Sequence, residues 1–171
     1  MKTKGIILGG GQSKRMGQDK AALIHKGQTL LQHTMNLLTT LEIHDIIVLG
    51  RPSDPHGIAD AAPHQGPATN LQLWFKEQST PFRAVVLPVD MPFLTTESLK
   101  HLMSYDTGAY FDDLYLPFVA TIGDSPHTTA NRMKDLLSQL SLTCVQPPKN
   151  WRKQLTNINE IADLKVLDSQ N

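Results

Sequence analysis

The chain has 171 residues, and its sixteen basic side chains balance sixteen acidic ones, so it offers no global field to draw in nucleic acid or an anionic membrane; any cationic site must be local. That length suits one domain, residues 1–171, large enough to bury most of its apolar surface without staples. A lone cysteine, Cys144, excludes an internal disulfide and a cysteine-only zinc site and is expected to pack rather than react. With no leader-like apolar segment and no run of membrane-spanning length, the expectation is a cytoplasmic protein without a membrane partner; the sequence leaves its oligomeric state open.

Gly5-Ile6-Ile7-Leu8 is apolar, strand-like and too short for a helix, and it breaks off into Gly9-Gly10-Gly11-Gln12-Ser13-Lys14-Arg15-Met16-Gly17-Gln18-Asp19-Lys20. Glycines accept positive φ and carry no Cβ, which lets backbone N–H groups converge on an anion. Lys14, Arg15 and Lys20 add the charge that neutral amides lack, and the Arg15 fork matches two phosphate oxygens. The spacing fits neither the P-loop, in which glycine-lysine is followed by a hydroxyl, nor the dinucleotide motif G-x-G-x-x-G. A polyphosphate loop is one reading; a glycine-rich connection with solvated cations is the other.

Thr29 is suited to cap a helix running from Leu30 to Leu41, with Leu30, Leu31, Met35, Leu37, Leu38 and Leu41 mostly on one face. Ile46-Ile47-Val48-Leu49 lacks alternation and reads as a strand buried on both sides, so strand, helix and strand form a right-handed crossover. The proline- and glycine-containing segment from Gly50 to Gly66 reads as a long loop, of the kind that is often functional. Gly66-Pro67 opens a helix that buries Leu71, Trp74 and Phe75.

Ala84 to Leu87 is a further apolar strand that delivers Asp90 to its carboxyl end, where open α/β sheets bind their ligands. A single carboxylate there suits Mg2+, which keeps much of its water and takes one or two protein carboxylates plus phosphate oxygens. The competing reading makes Asp90 a cap for the helix expected over Thr96–Tyr105. Asp112-Asp113 reads as a solvated turn. Leu114 to Ile122 reads as a strand which, because it contains Pro117, belongs at an edge or at a bulge. A helix is expected over Pro126–Leu140 and a last strand over Leu142–Val145. The histidines show no metal-ligand spacing, and His64 and His127 are expected in loops. Alternating strands and helices predict an α/β three-layer sandwich with a mostly parallel sheet.

Leu8-Gly9-Gly10-Gly11-Gln12-Ser13-Lys14-Arg15-Met16-Gly17-Gln18-Asp19-Lys20 resembles the signature loop of the MobA-like nucleotidyltransferases, with Gly9 in place of the family's usual alanine. Asp90-Met91-Pro92-Phe93-Leu94 is similar to that family's metal-binding motif, and Asn157-Ile158-Asn159 with Asp163-Leu164 to its C-terminal asparagine motif. Gly66-Pro67-Ala68-Thr69-Asn70 keeps the first two residues of the family's Gly-Pro-Leu-Ala-Gly and puts Asn70 at the last. The resemblance, which spans nearly the whole chain, implies a Rossmann-like nucleotidyltransferase fold. It implies a triphosphate site made by Leu8, Gly9, Gly10, Gly11 and Ser13, with Arg15 and Lys20 on the leaving pyrophosphate and Mg2+ on Asp90. Asp60 and Gly66 would lie beside the base, with Asp60 one residue out of the family's spacing. The family's asparagine at the end of the second strand falls near Leu49, where the side chain is apolar. Asn157 would turn toward the metal and the acceptor; Asn159 would cap the last helix or join it there. The implied reaction transfers GMP from GTP to molybdopterin. A cytidylyl transfer, another small phosphate acceptor, or a nucleotide carrier without turnover are the alternatives.

Overall fold

The computed structural model describes residues 1–10, 19–124, 126, 128–159 and 161–169. The expectations placed on Gly11, Ser13, Lys14, Arg15 and His127 therefore fall outside the described residues.

Nine strands and five α-helices alternate along the described chain. Strand β1 (Lys2–Leu8) carries the first apolar run. A two-strand ribbon, β2 (Ile24–His25) and β3 (Gln28–Thr29), follows, with Lys26 and Gly27 at φ of 50° and 80° between its strands. Two successive positive φ angles are what the tight mirror-image hairpin turn requires. Helix α1 (Leu30–Thr40) starts where the sequence predicts, with the Thr29 hydroxyl accepting from the Gln32 N–H at 3.0 Å. Then come β4 (Ile46–Leu49), β5 (Gly57–Ile58), α2 (Pro67–Lys76), β6 (Phe82–Pro88), α3 (Thr96–Met103) and β7 (Gly108–Phe111). The chain continues through β8 (Phe118–Ile122), α4 (Met133–Gln139), β9 (Thr143–Val145) and α5 (Ile161–Asp168).

Seven strands form one sheet in the order β5-β4-β1-β6-β8-β7-β9, in which only β8 runs against both of its neighbours. Side chains alternate across a strand, and in the central strands both sets are apolar. Ile7, Val85 and Leu87 pack with Leu38 of α1 and Leu99 and Leu102 of α3. Ile6, Val86 and Phe118 pack with Leu71 and Phe75 of α2 and Leu136 of α4. Two cores on opposite faces make the three-layer sandwich expected from the pattern, and they explain why β1 and β6 read as unbroken apolar runs.

Several local expectations are corrected. Strand β7 was not anticipated, because Gly108-Ala109-Tyr110-Phe111 is too short to stand out as a run. The strand near Pro117 is interior: it starts at Phe118, one residue past the cis Leu116–Pro117 bond, so the missing proline N–H removes nothing from the ladder. The helix expected over Pro126–Leu140 begins only at Met133, and the preceding segment folds back along it, the Thr129 N–H donating to Gln139 Oε1 at 2.9 Å. Cys144 is exposed rather than packed, because β9 is the sheet's edge, and its thiol donates to Asp112 Oδ1 at 3.4 Å. Among the described residues no helix is long and apolar enough to cross a membrane.

Phe75 is fully buried, with its ring 6.1 Å from that of Phe82. Phe75→Ala should lower the unfolding free energy by about 3–5 kcal/mol, measured by denaturant titration.

Candidate functional site

Backbone register builds the site before any side chain does. Leu8, the last residue of β1, pairs with Leu49 at the end of β4 and with Pro88 at the end of β6, both strands parallel to β1. Three carboxyl ends therefore lie side by side, with the chain reversing its direction of progress across the sheet at β1. An open α/β sheet leaves a crevice at such a switch point. Residues 9–10, 50–51 and 89–90, distant in sequence, become neighbours.

Gly9 and Gly10 line that crevice but do not offer the amides expected of them. Both N–H groups donate to the Leu49 carbonyl, at 3.0 and 2.9 Å, so neither is directed at a ligand. What the glycines contribute is missing volume. A Cβ on Gly10 would lie 2.8 Å from the Gly50 Cα and 3.3 Å from Asp60 Oδ2. Gly50 sits at φ 80°, a conformation that a side chain resists. The two bare backbones pass close together, and the Asp60 carboxylate closes against them.

Two cavities share Leu8, Gly10 and Pro67 along their common wall. The larger, about 470 Å³, is lined by Gly50, Asp60, His64, Gly66 and Asn70 among others. Its floor is the loop before α2, where Gly66 takes φ 86° ahead of Pro67 and His64 takes φ 68°. Asn70, buried to 5 % exposure, pins this loop: its Oδ1 accepts from the Ala62 N–H at 2.8 Å, and its Nδ2 donates to the carbonyls of Ala62 and Gly66 at 3.0 Å each. The asparagine where a glycine was expected is thus a clasp for the loop that carries Asp60 and His64. Burial raises the Asp60 carboxyl above the ordinary carboxylate range.

The smaller cavity, about 310 Å³, is lined by Gly9, Gly10, Asp19, Lys20, Asp90 and Asn157 among others. Lys20 lies on a single 3-10 turn, Lys20–Ala22, anchored by the buried methyl of Ala21. Its Nζ is 3.2 Å from Asp90 Oδ2 and donates to the Ile158 carbonyl at 2.8 Å. The Ile158 N–H in turn donates to the Asp90 carbonyl at 2.8 Å, which draws Asn157 to the cavity wall. Lys20 and Asp90, 70 residues apart in sequence, meet in one cleft. The cap role considered for Asp90 belongs to Thr95, whose hydroxyl accepts from the Ser98 N–H.

Asn159 does not line this cavity. It is exposed, and its N–H donates to Asp163 Oδ2 at 2.7 Å, so Asp163 holds the start of α5 from within the helix. Among the described residues no cluster of three histidine, cysteine or acidic side chains could enclose a metal. Asp90, partly exposed beside Lys20, is the kind of carboxylate that a hard cation can take while water and phosphate oxygens complete its coordination. Two features escaped the sequence reading: the Asn70 clasp, and Arg51, which packs against Gly9 and pairs with Asp19. The signal for Arg51 is a cation placed directly after the glycine that ends an apolar strand.

Residues 5–142 match the family model described as the MobA-like NTP transferase domain. A molybdenum cofactor guanylyltransferase of Xanthomonas euvesicatoria is 37 % identical over 115 residues, 66 % of this chain and 61 % of that protein, so the match spans less than two thirds of the relative's length. A probable molybdenum cofactor guanylyltransferase of Mycobacterium avium is 30 % identical over an alignment that takes in 98 % of this chain and 95 % of its own. In fold, the chain resembles a molybdopterin-guanine dinucleotide biosynthesis protein A from Archaeoglobus fulgidus, with TM-score 0.64 at 21 % identity over 98 % and 97 % of the two chains. It also resembles a nucleotidyl transferase from Methanothermobacter, with TM-score 0.70 at 15 % identity over the same shares. The family model spans most of the sequence, the Mycobacterium relative nearly all of it, and the cleft sits where such a sheet binds ligands: the chain belongs to the MobA-like NTP transferase family, a family of nucleotidyltransferases.

Proposed function

We propose that this protein transfers GMP from GTP to molybdopterin in the cytoplasm, releasing pyrophosphate. The observation that carries the reading is the meeting of Lys20 and Asp90 in a cleft continuous with a second cavity that can take a nucleoside. In this reading a phosphate oxygen of the acceptor forms a bond to the α-phosphorus of GTP, and the bond from that phosphorus to the β-bridging oxygen breaks. The electron pair leaves with pyrophosphate, and no covalent enzyme intermediate arises. Catalysis then rests on alignment and on charge placed where it develops.

Asp90 would hold the Mg2+ that accompanies the triphosphate, and the ion would supply positive charge against the phosphate oxygens. Lys20, which pairs with Asp90, turns its ammonium to the β- and γ-phosphates, and Arg15 joins it through the resemblance of its motif. Gly11 and Ser13 complete the loop on the same grounds. Asp60 accepts from the donor edge of guanine, in a pocket shaped by Gly66 and the Asn70 clasp. Asn157 faces the acceptor from the far wall.

A pyrophosphate-release assay with each nucleoside triphosphate, with and without molybdopterin, tests the reading. Turnover that needs GTP, Mg2+ and molybdopterin together is the expected outcome. Preference for CTP or for another acceptor would change the substrate, and binding of a triphosphate without turnover on any acceptor would make the protein a carrier. Asp90→Ala should lower kcat by about 10²–10³-fold while leaving the melting temperature in place. Lys20→Ala should raise the KM for GTP about tenfold or more, the scale of a charge-assisted contact.

Asp60 predicts a pH dependence. A guanine edge needs the carboxylate, so GTP affinity should fall as pH drops through the raised pKa of Asp60. Because the folded value lies above the unfolded one, Asp60 costs the folded protein stability as pH rises through that window, and bound guanine removes the cost. Binding titrations across the pH range in which Asp60 titrates should therefore record proton release on GTP binding, and Asp60→Asn should abolish both that release and the preference for guanine.

A further inference from the structure

Asp19 is out of place on electrostatic grounds: it is an acid on the wall of a cavity proposed to take a polyphosphate. It also has a structural task. Its Oδ1 accepts from the Ala21 N–H at 3.1 Å and so caps the turn that carries Lys20. The other carboxylate oxygen, Oδ2, receives Arg51 Nη1 at 2.5 Å, with the Arg51 side chain 23 % exposed. Arg51 arrives from the end of β4, brought alongside by the pairing of Leu8 with Leu49.

The stem of Arg51 reaches Asp19 by crossing Gly9. A Cβ on Gly9 would lie 2.7 Å from Arg51 Cδ and 2.8 Å from Val48 Cγ1, distances at which something must shift. An alanine at this position would push against that stem. Glycine at position 9 and arginine at position 51 are thus two halves of one arrangement.

We propose that Arg51 is a positioning residue of the triphosphate site: it neutralises Asp19 and holds it as the cap of the Lys20 turn, and Gly9 lacks a side chain so that the Arg51 stem can pass. This rests on the nucleotidyltransferase reading above. Without the arginine, Asp19 loses the cation that pairs with it among the described residues, presents more negative charge to the incoming phosphates and is free to leave the cap, and Lys20 loses its fixed approach to Asp90. The guanidinium acts through Asp19 and needs no contact with the nucleotide.

The test is a mutant cycle read by GTP-dependent pyrophosphate release and, independently, by titration of Mg–GTP binding. Arg51→Met keeps most of the stem and removes the charge; it should weaken Mg–GTP binding about tenfold, with little change in melting temperature. Asp19→Asn keeps an oxygen for the Ala21 N–H and removes the like charge, so the Arg51→Met and Asp19→Asn double variant should bind better than Arg51→Met alone. A double variant as weak as Arg51→Met would mean that the guanidinium acts on the ligand directly, which overturns the proposal, as would wild-type binding by Arg51→Met. Gly9→Ala should impair binding, and adding Arg51→Ala should remove the part due to the clash; an innocuous Gly9→Ala overturns the shared-space argument. A wild-type protein that binds Mg–GTP but turns over no acceptor would defeat the transferase reading and leave this cycle readable in the binding titration.

Discussion

Everything at the site depends on how β1 is paired. A parallel neighbour on each side, with Leu8 in register with Leu49 and with Pro88, fixes which backbone atoms meet at the carboxyl edge of the sheet. The register is itself enforced by burial: slipping β1 by one residue would exchange Ile6 and Ile7 between two apolar cores that are already filled. The same packing that stabilises the sandwich therefore sets the spacing between the Lys20 turn, the Gly50-Arg51 corner and Asp90. Side chains then refine what the sheet has placed.

The cleft is an exercise in balanced charge. Each cation beside it that belongs to the described residues has an acid: Lys20 meets Asp90 and Arg51 meets Asp19. These pairs are partly exposed and add little to stability. Lys20 is held through the Ile158 carbonyl as well as through Asp90. Asp60 lies on the other side of the shared wall, where burial raises its carboxyl.

Much of this architecture could be read from the chain because it is local. The Thr29 and Thr95 caps, the helix opened by Gly66-Pro67 and the apolar strands each follow from residues within a few positions of one another. Where the reading failed, distant partners decided the outcome. Pro117 suggested an edge strand because proline breaks a ladder, yet the strand merely starts later and sits between β6 and β7. Cys144 looked like a packing residue until the sheet order made its strand an edge. The helix expected from Pro126 starts only at Met133, and the Thr129 N–H ahead of it donates to Gln139 Oε1, a bond that no periodicity records. The glycines after β1 announced a phosphate loop, but register gave the N–H groups of Gly9 and Gly10 to Leu49 and left those residues to act through the volume they do not fill.

By itself, then, the sequence determined the class of fold, which is written in its hydrophobic pattern, and its short motifs, Lys20 and Asp90 among them, carried the resemblance to the family. Tertiary structure alone decided that Asn70 clasps the Asp60 loop, that Asn157 faces the cleft while Asn159 does not, and that Arg51 threads past Gly9 to Asp19. The physical reason is that such contacts join segments whose proximity is created only when β1, β4 and β6 align, and a pairwise distance set by sheet register leaves no trace in the order of residues along either strand.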